Sequence, residues 1–217
     1  MNWRKIVWMF FWPLYRLFAE LFFQFEIKGG ENLKNLKKPF ILAANHASYL
    51  DGEFIVVAFP WNSEFFPIRY MAAEYYYKKL FLGSILWLLG GFQVVQGIGL
   101  DESLAPAVSL LLKNSDVVGV FPEGKITKDG NFGEGKPGVA YLALKTNLPV
   151  LPVNISGSFG LNNIKTVVFG RKKVGITFGK PFYLKDYVGE HNPDPEKDKE
   201  ILIKGTKIVM EKIKDTL

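Results

Sequence analysis

Three apolar runs of strand length constrain the fold of this chain more than any other feature. They are FILAAN at Phe40–Asn45, VVGVF at Val117–Phe121 and PVLPVNIS at Pro149–Ser156, each closed by polar or turn-forming residues. Runs this short, without polar alternation, suit strands covered on both faces. The stretches around them carry helical patterns: about Leu50 to Ala58, the apolar YYKKLFLGSILWLLGG, about Glu102 to Lys113, and GVAYLALKT. PIRYMAA reads as extended and FQVV as a strand. Alternation of this kind predicts an α/β domain, a central mixed sheet flanked by helices, and 217 residues suffice for one core. Toward the end, TVVFGRKKVGITFGKPF reads as two strands turning at GRKK. The charged tail from about Pro195 to Leu217 reads as a surface helix with Ile201, Ile203, Ile208 and Ile213 facing inward.

The first 27 residues differ in kind. Arg4 and Lys5 precede an apolar stretch as in a signal peptide, but no small-residue cleavage site follows. The run Ile6–Tyr15 is about half of the roughly 20 apolar residues a membrane span requires, and Pro13, Arg16 and Glu20 interrupt its continuation. From Leu14 on, Leu14, Leu17, Phe18, Leu21, Phe22 and Phe25 keep the three-and-four spacing of one helical stripe. The pattern predicts a short hydrophobic helix followed by an amphipathic one. Their Trp and Phe content, with Arg4, Lys5, Arg16 and Lys28, suits a helical pair lying in the membrane interface. The domain reading is therefore 1–27 for membrane association and 28–217 for the α/β domain. Deleting residues 1 to about 27 should then leave a soluble fold that no longer binds membranes.

The absence of cysteine removes disulfides, thiolate nucleophiles and cysteine-ligated metals, and two histidines, His46 and His191, argue against an imidazole-rich metal site. A net charge of +6 favours an anionic partner, and the aromatic N-terminus points to a membrane rather than nucleic acid.

Chemistry gathers where the first run ends, in NHASYLD at Asn45–Asp51. On one regular helix five residues would set His46 and Asp51 about 140° apart, too far round to meet. His46 must then precede the helix, with Ser48 as a plausible N-cap and Asp51 in the first turn. From there the imidazole can fold back on the carboxylate, leaving its other nitrogen to take a proton from a hydroxyl. An S-x-x-D cap needs no catalysis to explain it, so these residues alone leave both readings open. The second run also ends in an acid, in FPEG at Phe121–Gly124, and open α/β sheets bind ligands at strand ends.

Four blocks, spanning about residues 40–157, resemble the glycerolipid acyltransferases of the bacterial PlsC type. NHASYLD is similar to the family's N-H-x-x-x-x-D block. GGFQVVQG resembles a second block that normally ends in a phosphate-binding arginine; here the position is Gln96. FPEGKIT resembles F-P-E-G-T-R-S, with Lys125 and Ile126 in place of Thr and Arg, and LPVLPVNISG resembles a fourth, proline-containing block.

The resemblance implies the glycerolipid acyltransferase fold. It also implies transfer of a fatty acyl group from an acyl thioester to the sn-2 hydroxyl of lysophosphatidic acid, giving phosphatidic acid. His46 is then the general base and Asp51 its orienting partner. Asn45, Gln96, Glu123, Gly124, Lys125 and Thr127 fall among the substrate-binding positions, and Lys125, Lys128, Lys136 and Arg69 are candidates for the missing phosphate cations. Lys136 stands just before an expected helix start, a favourable place for an anion. Leu151, Pro152 and Val153 fall in the apolar acyl-donor channel, to which FLGSILWLLGGF could add lining. No resident cofactor or metal is expected; acyl carrier protein or coenzyme A would bring the acyl group to an enzyme lying on the inner face of the cytoplasmic membrane.

Alternatives are an acyltransferase of the same family acting on another lysolipid or hydroxyl acceptor, or a non-catalytic membrane lipid-binding protein. The latter does not explain His46, Asp51 and Glu123 together. GNFGEGK at Gly130–Lys136 fits G-x-x-x-x-G-K, but Pro137 stands where a nucleotide site needs Ser or Thr. A lipid hydrolase would need a G-x-S-x-G elbow, which the chain lacks.

Overall fold

The computed structural model describes residues 3–78, 80–95, 97–190 and 194–216. In chain order the elements are α1 (Trp3–Phe22), β1 (Gln24–Lys28), β2 (Ile41–Ala44), α2 (Asp51–Ala58), β3 (Ile68–Ala73), α3 (Glu74–Tyr77), α4 (Leu80–Leu88) and β4 (Phe92–Val94). There follow α5 (Leu100–Leu112), β5 (Val117–Val120), α6 (Gly138–Thr146), β6 (Val150–Ser156), α7 (Ile164–Gly170), β7 (Lys173–Phe178), α8 (Lys185–Val188) and α9 (Lys199–Lys214).

The seven strands form one sheet in the order β1-β7-β6-β2-β5-β3-β4. All neighbours are parallel except β6 and β7, so the sheet is mixed, as the sequence predicts. The apolar runs occupy its centre: β2 lies between β5 and β6, and all three strands are buried along their lengths apart from the last residue of β6. One face packs with α1 and α2 through Trp8, Phe23, Phe54, Phe59 and Phe66. The other packs with α5, α6 and α9 through Leu104, Leu111, Tyr141, Val209 and Ile213.

Three expectations are corrected. The N-terminal helical pair is one continuous helix: Pro13 lies inside α1, and Trp8 and Ala19 on either side of it are both buried against the domain. A single proline removes one intrahelical bond, and burial of this inner face outweighs that loss. The indoles of Trp8 and Trp12 also donate to the Leu89 and Phe59 carbonyls, at 3.0 and 3.1 Å. Second, the boundary at residue 27 falls inside β1, which pairs with β7, so deleting residues 1 to about 27 would strip an edge strand and uncover core. Third, TVVFG is helical rather than extended. Asn163 caps α7 by accepting from the Lys165 amide (2.9 Å), and β7 finds its partners in β1 and β6 instead of a hairpin neighbour. In α9, Ile213 is buried and Ile201 and Ile208 partly so, while Ile203 is exposed; Leu202, Val209 and Met210 complete the inner face.

The outer face of α1 is apolar and open. Trp3, Ile6, Phe10, Leu14, Leu17 and Leu21 are exposed, Phe10 to 68 % and Leu21 to 61 %. Trp87 and Trp61 adjoin it: Trp87 packs on Trp3 with ring centroids 5.4 Å apart, and the Trp61 indole donates to the Met9 carbonyl. No helix among the described residues is long and apolar enough to cross a membrane.

Candidate active site

β2 and β5 run side by side and end together, so the residues that follow them, Asn45–Asp51 and Phe121–Gly124, meet at one edge of the sheet. His46 stands in the loop before α2 and Asp51 begins that helix, the arrangement that the five-residue spacing requires. The His46 Nδ1 lies 2.9 Å from Asp51 Oδ2. Asp51 is fully buried, whereas the His46 side chain keeps 19 % of its surface. The Phe121 ring stacks on the imidazole, centroids 4.0 Å apart at 13°, and Tyr70 stacks on Phe121 at 5.7 Å. Tyr70 can lie there because Gly119 has no side chain; a Cβ would overlap its ring.

The loop is held amide by amide. The His46 N–H donates to Glu123 Oε1 (3.1 Å), and the Ala47 and Ser48 N–H groups donate to Asp51 Oδ2 (2.6 and 2.8 Å). Tyr49 N–H donates to Asn162 Oδ1 (2.9 Å), Leu50 N–H to Ser48 Oγ (3.2 Å) and Asp51 N–H to the Ser48 carbonyl (3.3 Å). The N-cap expected at Ser48 is corrected: Leu50 caps α2 without a side-chain bond, while Asp51 accepts from the Ser48 amide and the Ser48 hydroxyl serves Leu50 two residues on. With Oδ2 accepting two amides, its remaining partner, imidazole Nδ1, carries a proton, and Nε2 is left as the basic nitrogen.

Several predicted binding residues have structural partners. The Asn45 amide bridges both backbone groups of Ile155, donating to its carbonyl (2.9 Å) and accepting from its N–H (2.7 Å), which extends the β2–β6 pairing one step toward His46. Glu123, buried at 3 %, divides its carboxylate between the amides of His46 and Gly133 (2.9 Å). Thr127 donates its N–H to the His46 carbonyl (2.9 Å), locking the 121–136 loop to the histidine.

Arg69 lies elsewhere. It pairs with Val118 near the N-terminal ends of β3 and β5, away from the edge that carries His46, and donates to Gly90 (2.5 Å) and Asp116 (3.2 Å). This buried pair holds the strand starts together and is corrected as a phosphate candidate. Leu151 and Val153 are likewise corrected as channel lining: both are fully buried in the core face under α2. Pro152 borders an open basin with Gly29, Phe178 and Lys212, at the sheet end opposite His46. Gln96 lies outside the described residues.

Lys125, Lys128 and Lys136 are exposed and make no ion pair among the described residues. Lys136 is the best placed. Its amide donates to the Pro122 carbonyl (2.7 Å), and its stem crosses Gly124, where a Cβ would come within 3.0 Å of Nζ. Gly124 has φ +66°, so the position favours glycine both for backbone conformation and for this crossing. Helix α6 begins two residues after Lys136, as expected. Among the described residues, no group of three or more His, Cys, Asp or Glu could hold a metal ion.

Sequence inspection missed Phe121 as the platform for His46 and missed Asn162 altogether. The first had a signal, the aromatic residue opening FPEG; the second, in the loop after β6, had none.

A histidine held by a buried carboxylate thus stands at the ends of parallel strands, the place where open α/β sheets bind ligands, with lysines that make no ion pair among the described residues in the neighbouring loop. The chain belongs to the acyltransferase family, whose Acyltransferase model matches residues 24–156. It is 30% identical to the 1-acyl-sn-glycerol-3-phosphate acyltransferase of Saccharomyces cerevisiae over 174 residues, 76% of this chain and 55% of that one. Identity to the 1-acyl-sn-glycerol-3-phosphate acyltransferase of Bacillus subtilis is 24% over 176 residues, covering 79% and 82%. The fold matches the crystal structure of the lysophosphatidate acyltransferase PlsC from Thermotoga maritima with a TM-score of 0.64 at 24% identity, over 96% of this chain and 83% of that one. Several curated relatives are longer; the matched region spans 37% to 55% of the first six.

Proposed function

We propose that the protein transfers a fatty acyl group from a thioester, carried by acyl carrier protein or coenzyme A, to the sn-2 hydroxyl of lysophosphatidic acid. The observation that carries this reading is the His46 ring, held at Nδ1 by Asp51 and stacked on Phe121, with Nε2 left for a substrate. Nε2 takes the hydroxyl proton as the oxygen attacks the thioester carbonyl. The C–S bond then breaks, and the departing thiolate recovers the proton from the imidazolium. Buried Asp51 supports the transient positive ring, and no acyl-enzyme is needed.

Lys136, held across Gly124, is the cation for the acceptor phosphate, with Lys125 beside it in sequence. The Glu123 carboxylate accepts from the His46 and Gly133 amides and makes no ion pair with Lys136. The exposed face of α1, with Trp61 and Trp87, supports monotopic attachment, with Trp rings and leucines at headgroup depth and lysophosphatidate entering sideways from one leaflet.

The test is acyl transfer by the full chain and by His46→Ala, offering lysophosphatidate, glycerol 3-phosphate and other lysophospholipids with both thioester classes. Loss of a general base should lower turnover by about 10²–10⁴-fold. Unchanged transfer by the variant would overturn the mechanism, and preference for an acceptor lacking the phosphate would overturn the substrate.

A further inference from the structure

We infer that Asn162 is a positioning residue for acyl transfer, clamping the turn that carries His46 and Asp51. This rests on the reading of that pair as the catalytic base and its orienter.

The clamp is one oxygen with two donors. Asn162 Oδ1 accepts from the Tyr49 amide at 2.9 Å and from the Ser48 hydroxyl at 3.3 Å. These donors sit immediately after the Ala47 and Ser48 amides that hold Asp51 Oδ2. Ser48 contributes to both sets, its N–H to Asp51 and its hydroxyl to Asn162, so slackening at Asn162 passes directly to the carboxylate that orients His46. Ser48 is completely buried and its hydroxyl also accepts from Leu50; without Asn162 that hydroxyl would lose its acceptor.

Asn162 is itself firmly mounted. Leu161 before it is buried at 3 % and its amide donates to the Ser158 carbonyl, while Asn163 after it caps α7. The Asn162 side chain is exposed, so its value to the fold through burial is small. An exposed asparagine with no structural task would not spend one oxygen on two donors of a loop 113 and 114 residues away.

Among the described residues only the amide oxygen of Asn162 is bonded, and this gives the test a sharp control. Asn162→Asp keeps an acceptor of the same reach; Asn162→Ala removes it. Misplacement of a catalytic group by a fraction of an ångström to 1 Å costs up to about 10²-fold in rate. For Asn162→Ala in the full chain, kcat should fall about 10- to 100-fold, with KM for lysophosphatidate and for the thioester changed less than about 2-fold. Its melting temperature should fall by about 2–12 °C, since the buried Ser48 hydroxyl loses its acceptor, and Asn162→Asp should restore it. Asn162→Asp should retain kcat within about 3-fold, because the acceptor is preserved.

A normal kcat in Asn162→Ala overturns the inference. So does an Asp variant as slow as the Ala variant, which would assign the role to the amide NH2 and to direct substrate contact, or a rise in KM at constant kcat. A Tm drop that the Asp variant fails to restore would mark Asn162 as merely structural and also overturns it. His46→Ala, run in parallel, separates this failure from failure of the catalytic reading: if that variant turns over normally, the underlying mechanism is wrong, whatever Asn162 does.

Discussion

Glu53 should make the protein less stable as the pH rises from 4.5 to about 7. It stands in the first turn of α2, two residues after Asp51, and borders a small cavity between α1 and α2 otherwise lined by Tyr15, Phe18, Ala19, Leu50, Phe54 and Val57. Burial pushes its carboxyl up to about 7 from 4.5; Asp51 adds repulsion, while its own backbone amide and His46 offset part of the shift. Tyr70 and Tyr15, which face it, are raised above their ordinary values chiefly by burial and in part by Glu53 itself.

Because the folded-state value is raised, the folded chain keeps a proton that the unfolded chain releases between pH 4.5 and about 7. Stability therefore falls across that window and is lower above it. At about 1.4 kcal/mol per pH unit of difference, the full effect is about 3 kcal/mol. Glu53→Gln removes the ionisation at nearly constant shape. The variant should match the parent near pH 4 and exceed it at pH 8 by up to about 3 kcal/mol, or roughly 6–12 °C in Tm for a chain of this length. Denaturant or thermal unfolding of both proteins at pH 4, 5.5, 7 and 8 reads the difference directly. A variant no more stable than the parent at pH 8, or a gap that does not change with pH, would refute the reasoning.

Other predictions follow from the same site and surface. Glu123→Gln places an NH2 group where a carboxylate now accepts from the amides of His46 and Gly133. One donor must then face another, so kcat should fall at least about 10-fold and stability by about 1–3 kcal/mol, measured by steady-state kinetics and denaturation. Lys136→Met should raise KM for lysophosphatidate about 10-fold, the loss of roughly one charge-assisted contact, with KM for the thioester unchanged; equal effects on both substrates would place the phosphate elsewhere. Replacing Leu14, Leu17 and Leu21 together by Ser should abolish sedimentation with liposomes. All three side chains are more than half exposed, so the fold should lose no more than about 0.5 kcal/mol at each. Full retention on liposomes would show that membrane attachment does not use this face.

What could be read from the sequence was local. The helical period excluded His46 and Asp51 from one helix, and the structure sets His46 outside α2 and Asp51 at its start. Uninterrupted apolar runs marked β2, β5 and β6, because two-sided burial leaves no polar alternation to confuse. Misreadings arose where local preference met distant context. The valines of TVVFG suit a strand, yet the Asn163 cap and burial of Val167 make a helix there. Pro13 reads as a break, yet the packing of Trp8 and Ala19 carries the helix through. Arg69 has the charge for a phosphate, but only the strand register shows that it pairs near the far ends of the strands. Asn162 left no trace because its partners lie more than a hundred residues away and its loop has no period to betray a role.

Between the last residue of α1, Phe22, and the first of β1, Gln24, there is only Phe23, and it is buried to 2 %. Gln24 pairs with Lys173, at the sheet edge where β6 ends and His46 stands. Such a joint has no slack. The helix cannot swing on a hinge or trail as an anchor chain would; it moves with the sheet as the keel moves with a hull. Whatever surface grips the outer side of α1 therefore also fixes the height and tilt of the His46 edge above it, and the reach of any acyl donor is measured from that fixed waterline.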